Sequence, residues 1–216
     1  MEQQHHGFVF EDAIVLDITG FTKEEYQKKL PSGYTAAMDI VKDIHSEKDY
    51  SIKVSSNGKS VGCGDILRFN SHFQNGFTML IGCWFQKNST TKTIYRIYEF
   101  NIKPEHYQAF WGGLDNNNLT PFVNYVKSIE HGKAAQMANR TIWKQRRDAL
   151  YATHGRGIVS IDAKIDSKKQ RRVQCSIKIE DMIRVCSGSY KEFNANLPYR
   201  GIELPYDTNS SPRSFK

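Results

Sequence analysis

Glu11, Asp39, Lys53 and Asp65 are the side chains in the first third of the chain whose types and order suit chemistry on a charged oxygen centre. Asp39 lies in the run Ala36-Ala37-Met38-Asp39-Ile40-Val41-Lys42. Lys53 closes Ser51-Ile52-Lys53, and Asp65 follows twelve residues later, with Arg68 three beyond it. Carboxylate oxygens are hard ligands suited to Mg²⁺. A lysine ammonium can offset charge on an oxyanion. Lys53 is the most telling of the four, because an unpaired ammonium in a central strand is costly. Each acid also has an ordinary role open to it. Glu11 can be a solvated neighbour of an apolar stripe, and Asp39 can pair with Lys42 or Lys53. Asp65, after Gly64, can N-cap a helix that starts at Ile66.

The elements that must position these residues are legible in outline. Phe10, Ala13, Ile14 and Ile18 have the spacing of a buried helical stripe, which predicts a helix over 5–18 ending at Gly20. A second short helix is expected over 22–30, ended by Pro31-Ser32-Gly33. Strand-like runs follow at 35–42 and 50–55, then a turn at Ser56-Asn57-Gly58. A short helix should begin near Asp65. Phe77–Phe85 is almost continuously apolar, as a strand covered on both faces would be. Residues 92–102 read as a further strand, and 104–111, 120–130 and 133–152 as helices, with 112–118 a loop. In 159–165 and 171–179 apolar and polar residues alternate, which predicts a β-hairpin with one apolar and one largely cationic face. Beyond Ser187 the composition predicts an irregular tail. The division expected is one compact domain over 1–216: a core at 1–103, a helical and hairpin part at 104–186, and the tail at 187–216.

An acid on a leading helix, an Asp on the first strand of a hairpin and a Ser51-Ile52-Lys53 second strand resemble the PD-(D/E)XK restriction endonucleases. In one subset of that family the acid before the lysine is a serine, and the missing carboxylate comes from about a dozen residues later, near an arginine. Asp65 in Gly64-Asp65-Ile66-Leu67-Arg68-Phe69 matches that replacement. The resemblance covers roughly residues 7–102. It implies an α/β (α+β) fold with a restriction-endonuclease-like mixed central sheet flanked by helices, and a C-terminal β-hairpin as the recognition element. It further implies Glu11, Asp39, Lys53 and Asp65 as catalytic residues, with Asp39 and Asp65 holding Mg²⁺. The implied activity is that of a type II restriction enzyme, cutting duplex DNA to leave 5′-phosphate and 3′-hydroxyl ends. A homodimer would place one centre on each strand of a palindromic site.

Charge points the same way. The chain carries a net +7, yet residues 133–172 alone hold eleven Lys and Arg against three Asp, so the remainder is near neutral. A near-neutral body with one basic segment is the outline of a polyanion binder. Arg140, Lys144, Arg147 and Tyr151 share one face of the expected helix, where cations would contact phosphates. On the hairpin, Arg172, Gln174, Ser176 and Lys178 would align beside Ser160, Asp162 and Lys164, with Lys168, Lys169 and Arg171 over flanking phosphates. A two-stranded ribbon fits the major groove, where Arg reads guanine and Gln reads adenine. The neutral alternatives are a solvated helix face and an amphipathic surface hairpin.

Other classes are disfavoured. No apolar run approaches the ~18 residues of a membrane span. No basic, then apolar, leader opens the sequence. Cys63, Cys83, Cys175 and Cys186 form no CxxC pair, so a zinc ribbon is not expected and a reduced, intracellular (cytoplasmic) setting is. Two other functions stay open at this level: a nucleic-acid-binding protein without catalysis, and a metal-independent restriction glycosylase.

Overall fold

The computed structural model describes residues 5–30, 38–42, 46–166, 170–194, 197–201, 203–204 and 206–209. In chain order the elements are α1 (His5–Thr19), α2 (Lys23–Lys29), β1 (Tyr50–Ser56), β2 (Ser60–Asp65), α3 (Ile66–His72), β3 (Phe77–Gln86), β4 (Thr91–Ile102), α4 (Tyr107–Trp111), α5 (Asn116–Ser128), α6 (Lys133–His154), β5 (Ser160–Lys164), β6 (Arg172–Lys178), α7 (Ile179–Val185), β7 (Tyr190–Asn194) and β8 (Asp207–Asn209). They form two compact units, one of residues 1–61, 76–102 and 186–216, the other of 62–75 and 103–185. The division is not one of contiguous halves: residues 62–75 fold with the second unit, and the C-terminal end returns to the first.

The first unit is built on a mixed sheet of order β1-β3-β4-β7, with β8 also on β4. β1 runs parallel to β3, with Lys53 opposite Ile81, and β3 is antiparallel to β4. The apolar run of β3 has seven successive buried residues, as a central strand requires. Phe10, Ile14 and Val15 of α1 pack with Tyr50, Ile52, Leu80 and Ile97 in one core. Gly82 is what lets the helix approach: a Cβ there would lie 3.0 Å from the Phe10 ring.

Two expectations change in this unit. The run at 35–42 is not a strand within 38–42, where only Ile40 makes an antiparallel bridge, to Tyr50; residues 35–37 lie outside the described residues. The expected irregular tail supplies β7 and β8 and buries Tyr199, whose hydroxyl donates to Glu99 at 3.0 Å.

The second unit holds a three-stranded sheet of order β2-β6-β5. Val173, Cys175 and Ile177 of β6 and Ile161 of β5 are buried, while Arg172 and Lys178 are exposed. β5 and β6 are antiparallel, pairing Ser160 with Ser176, Asp162 with Gln174 and Lys164 with Arg172. β6 is therefore a central strand, and the pair is not a free-standing ribbon. Phe69, Phe73, Phe110 and Trp111 form an aromatic cluster beside α3. The loop expected at 112–118 stops earlier: Asp115 caps α5 by accepting from the Asn118 amide at 2.9 Å, so the helix starts at Asn116.

Arg171 ties the β5–β6 connection to the end of α5. Its Nε donates to the Ile129 carbonyl at 2.8 Å and Nη1 to Asp166 and Gln170 at 3.0 and 2.8 Å, while Nη2 donates to Glu130. Carbonyls past the last turn of a helix lack intrahelical partners, and a guanidinium satisfies them while complementing the helix dipole. Arg171→Ala should therefore cost about 1–3 kcal/mol of stability. Urea titration of the variant measures it, and an unchanged midpoint would show the contacts to be idle.

Candidate active site

β1 ends the sheet, and among the described residues the backbone groups on its outer side have no ladder partner except at the Ile40 bridge. Ile52 fills this need with side chains. Its N–H donates to Asp39 Oδ2 at 2.6 Å, and its carbonyl accepts from Lys53 Nζ at 2.9 Å. Lys53 Nζ lies 2.8 Å from the same Asp39 oxygen, and the two side chains are about a quarter exposed. One carboxylate, one main-chain carbonyl and one ammonium thus meet at an edge that solvent reaches.

Asp39 is placed by its neighbours. The Asp39 and Ile40 amides donate to the Tyr50 carbonyl at 3.0 and 3.1 Å, and the Tyr50 amide returns a bond to Ile40 at 2.8 Å. Ile40 is fully buried, and the Val41 amide donates to the Tyr26 hydroxyl at 2.8 Å. Tyr26 in turn sits on α2, which a capping box of Thr22 and Glu25 starts. The helix pair α1–α2 thereby holds the segment that carries Asp39.

Glu11 belongs to the same locality. Burial raises its carboxyl above the usual range, the Asp39 carboxylate raises it further, and the Lys23 and Lys53 ammonium groups oppose both. Lys23 Nζ lies 3.0 Å from Glu11 and 3.5 Å from Asp12. Lys23 is the member that the sequence reading missed; the only available signal was its place at the start of α2, next to a capping threonine. Ser51, two residues before Lys53, is buried. Having no carboxylate, it adds no charge to the site.

Asp65 lies in the second unit. There it caps α3, its Oδ1 accepting from the Arg68 amide at 3.1 Å, which is the ordinary role open to it. Among the described residues no three His, Cys, Asp or Glu side chains converge as a metal site would need. The oxygens at the β1 edge fit Mg²⁺ rather than Zn²⁺, because Mg²⁺ keeps several waters and takes only one or two protein carboxylates. Asp39 and the Ile52 carbonyl are hard donors of that kind.

The basic residues of the second unit divide by what they already bind. Arg147 pairs with Asp148 at 2.9 Å, donates to the Ile161 carbonyl at 3.4 Å and lies over Trp143 and Tyr151. The Tyr151 hydroxyl accepts from the Ile161 amide at 3.0 Å, so both residues cover the outer edge of β5. Lys178 pairs with Glu180 at 3.2 Å. Arg140, Lys144, Lys164 and Arg172 are exposed and make no ion pair among the described residues. Lys168 and Lys169 lie outside the described residues.

Comparison with protein-family models, with curated proteins and with solved structures gives no significant match.

A carboxyl whose folded pKa exceeds its unfolded value binds more protons folded than unfolded. Stability then falls as pH rises from the ordinary 4.5 of Glu11 through its folded value, and levels off above it. Glu11→Gln should remove that part of the decline, so the variant gains on the wild type across this window. Denaturant titrations between pH 3.5 and 7 test it, and parallel profiles would mean that Glu11 is not held in this environment.

Proposed function

We propose that the chain is a Mg²⁺-dependent, sequence-specific endonuclease for double-stranded DNA, of the type II restriction class and active as an intracellular homodimer. The observation that carries the reading is the meeting of Asp39, the Ile52 carbonyl and Lys53 at the solvent-facing edge of β1. Hydrolysis adds a water oxygen to phosphorus and breaks the bond to O3′, which leaves with a proton as a 3′-hydroxyl. Such a site must offset charge on the phosphoryl oxygens, aim the water and relieve the departing oxygen. Lys53 is placed to bind a phosphoryl oxygen and orient the water once its bond to Asp39 is exchanged for substrate. Asp39 and the Ile52 carbonyl would hold the Mg²⁺, with Glu11 tuning its water shell. The ion, when bound, supplies Lewis-acid polarisation and a more acidic water. Asp65 is the substitute acid implied by the resemblance, and the exposed cations Arg140, Lys144 and Lys164 would supply phosphate contacts in the second unit.

A second reading is a nucleic-acid-binding protein that does not cut. It is favoured by the closed Asp39–Lys53 pair, which satisfies both charges without any ligand.

Incubation with mixed-sequence duplex DNA, with Mg²⁺ and with EDTA, separates the two. Discrete fragments only with Mg²⁺ are expected, and retardation without cleavage selects the second reading. Asp39→Asn and Lys53→Ala should each lower cleavage at least a hundredfold while specific binding persists. Asp65→Asn isolates the remaining acid, because Asn caps a helix as well as Asp but carries no charge. Loss of cleavage with unchanged thermal stability is expected; cleavage at the wild-type rate would confine Asp65 to the cap.

A further inference from the structure

The outward face of the β2-β6-β5 sheet carries a donor and acceptor arrangement more specific than its charge. On β6 the alternation that buries Val173 and Cys175 turns Arg172 and Gln174 outward as neighbours. The Gln174 amide is oriented with its oxygen toward Arg172, since the opposite orientation would set its NH₂ against guanidinium donors. In that orientation the oxygen accepts from Arg172 Nε at 3.3 Å and from Nη2 at 3.0 Å.

Two consequences follow from the donor inventory. An amide oxygen has two lone pairs, and both of Gln174's are engaged. Gln174 therefore offers only N–H donors outward and cannot accept from adenine N6, which the adenine contact requires. A guanidinium has five N–H donors, of which two are engaged here. The end-on fork of Nη1 and Nη2 stays available, held in plane by the glutamine. That fork matches two adjacent acceptors, the guanine O6 and N7 presented in the major groove. The expected adenine contact is thereby replaced by a guanine contact.

Asp162 stands directly across from Gln174 in the β5–β6 register. It is exposed, makes no hydrogen bond or ion pair among the described residues, and can only accept. A carboxylate suits the cytosine N4 donor and repels the thymine O4 acceptor. β2 completes the surface by what it lacks. Val61 and Cys63 point inward, so Gly62 and Gly64 face out, and a Cβ at either would meet nothing within 4 Å among the described residues. Gly64 has a positive φ of 80° that favours glycine, whereas Gly62 does not, and no contact among the described residues calls for its bare position. Between Val61 and Gly64 β2 projects no outward side chain, so this part of the three-stranded sheet presents the side chains of β5 and β6 beside a bare strand.

We infer that this face is a major-groove reading surface for a G·C base pair, with Arg172 and Gln174 on guanine, Asp162 on cytosine and Gly62 leaving room for the groove wall. The inference rests on the DNA reading proposed above, and its positive charge fits that partner.

The test is selection of a randomised duplex pool by the full-length protein, followed by binding of single-site duplexes. The recovered site should contain an invariant G·C pair. Replacing its guanine with 7-deazaguanine should weaken binding about tenfold or more, consistent with loss of one base contact. Arg172→Ala and Gln174→Leu should both relax that position while other positions keep their preference. Asp162→Asn should reduce the discrimination of cytosine from thymine. Gly62→Val, which suits a strand, should keep the melting temperature and weaken DNA binding at least tenfold. Sites fixed only at A·T pairs, or a base preference unchanged in the Arg172 and Gln174 variants, would overturn the inference and leave the endonuclease reading standing. If no duplex is retained at any sequence, the DNA reading itself is wrong, and this inference falls with it.

Discussion

An edge strand leaves half of its backbone polar groups without ladder partners, and the candidate site rests on how β1 meets that constraint. At Ile52 the missing partners are side chains: Asp39 accepts the N–H and Lys53 donates to the carbonyl. Their opposite charges also pair with each other. A charged cluster is tolerated there because each member satisfies another. The Ile40–Tyr50 bridge and the Tyr26 hydroxyl then need only hold one short segment, the one carrying Asp39. The two N-terminal helices, the core under β1 and the capping box of α2 all bear on that placement.

The same constraint shapes the local electrostatics. Burial raises the Glu11 carboxyl and the Asp39 carboxylate adds to that, while Lys23 and Lys53 oppose both. Titratable groups shifted by burial together with neighbouring charges cluster at functional sites. That an ion pair closes part of the site is compatible with this, since Lys53 can exchange one anionic oxygen for another.

How far the sequence reveals all this differs from element to element. The α1 stripe, the apolar β3 run and the alternation of β5 and β6 were legible because burial imposes its period directly on the residues. The Asp39–Lys53 pair was legible as one of two options, by charge and spacing. β2 was not, because Gly62 and Gly64 give it the composition of a loop, and its strand state comes from pairing with β6. β7 and β8 were missed for the same reason, being short segments ordered by β4. Lys23 carries no periodic signal at all, only the proximity of two helices.

The basic segment shows where residue type alone misleads most. Arg147 and Arg171 resembled Arg172 in the sequence, each a cation on a surface expected to meet DNA. Their contacts separate them. Arg171 spends its donors on four carbonyls, and Arg147 spends its own on Asp148 and the β5 edge. With the Gln174 amide oxygen turned to it, Arg172 gives two donors to that one oxygen and keeps its Nη1–Nη2 fork unspent. Lysine cannot divide itself in this way, because its three donors radiate from one point and fix no plane. Partial engagement is therefore the informative state: a fully satisfied arginine is structure and a wholly free one is charge. One held in plane by a neighbour can distinguish one acceptor pattern from another.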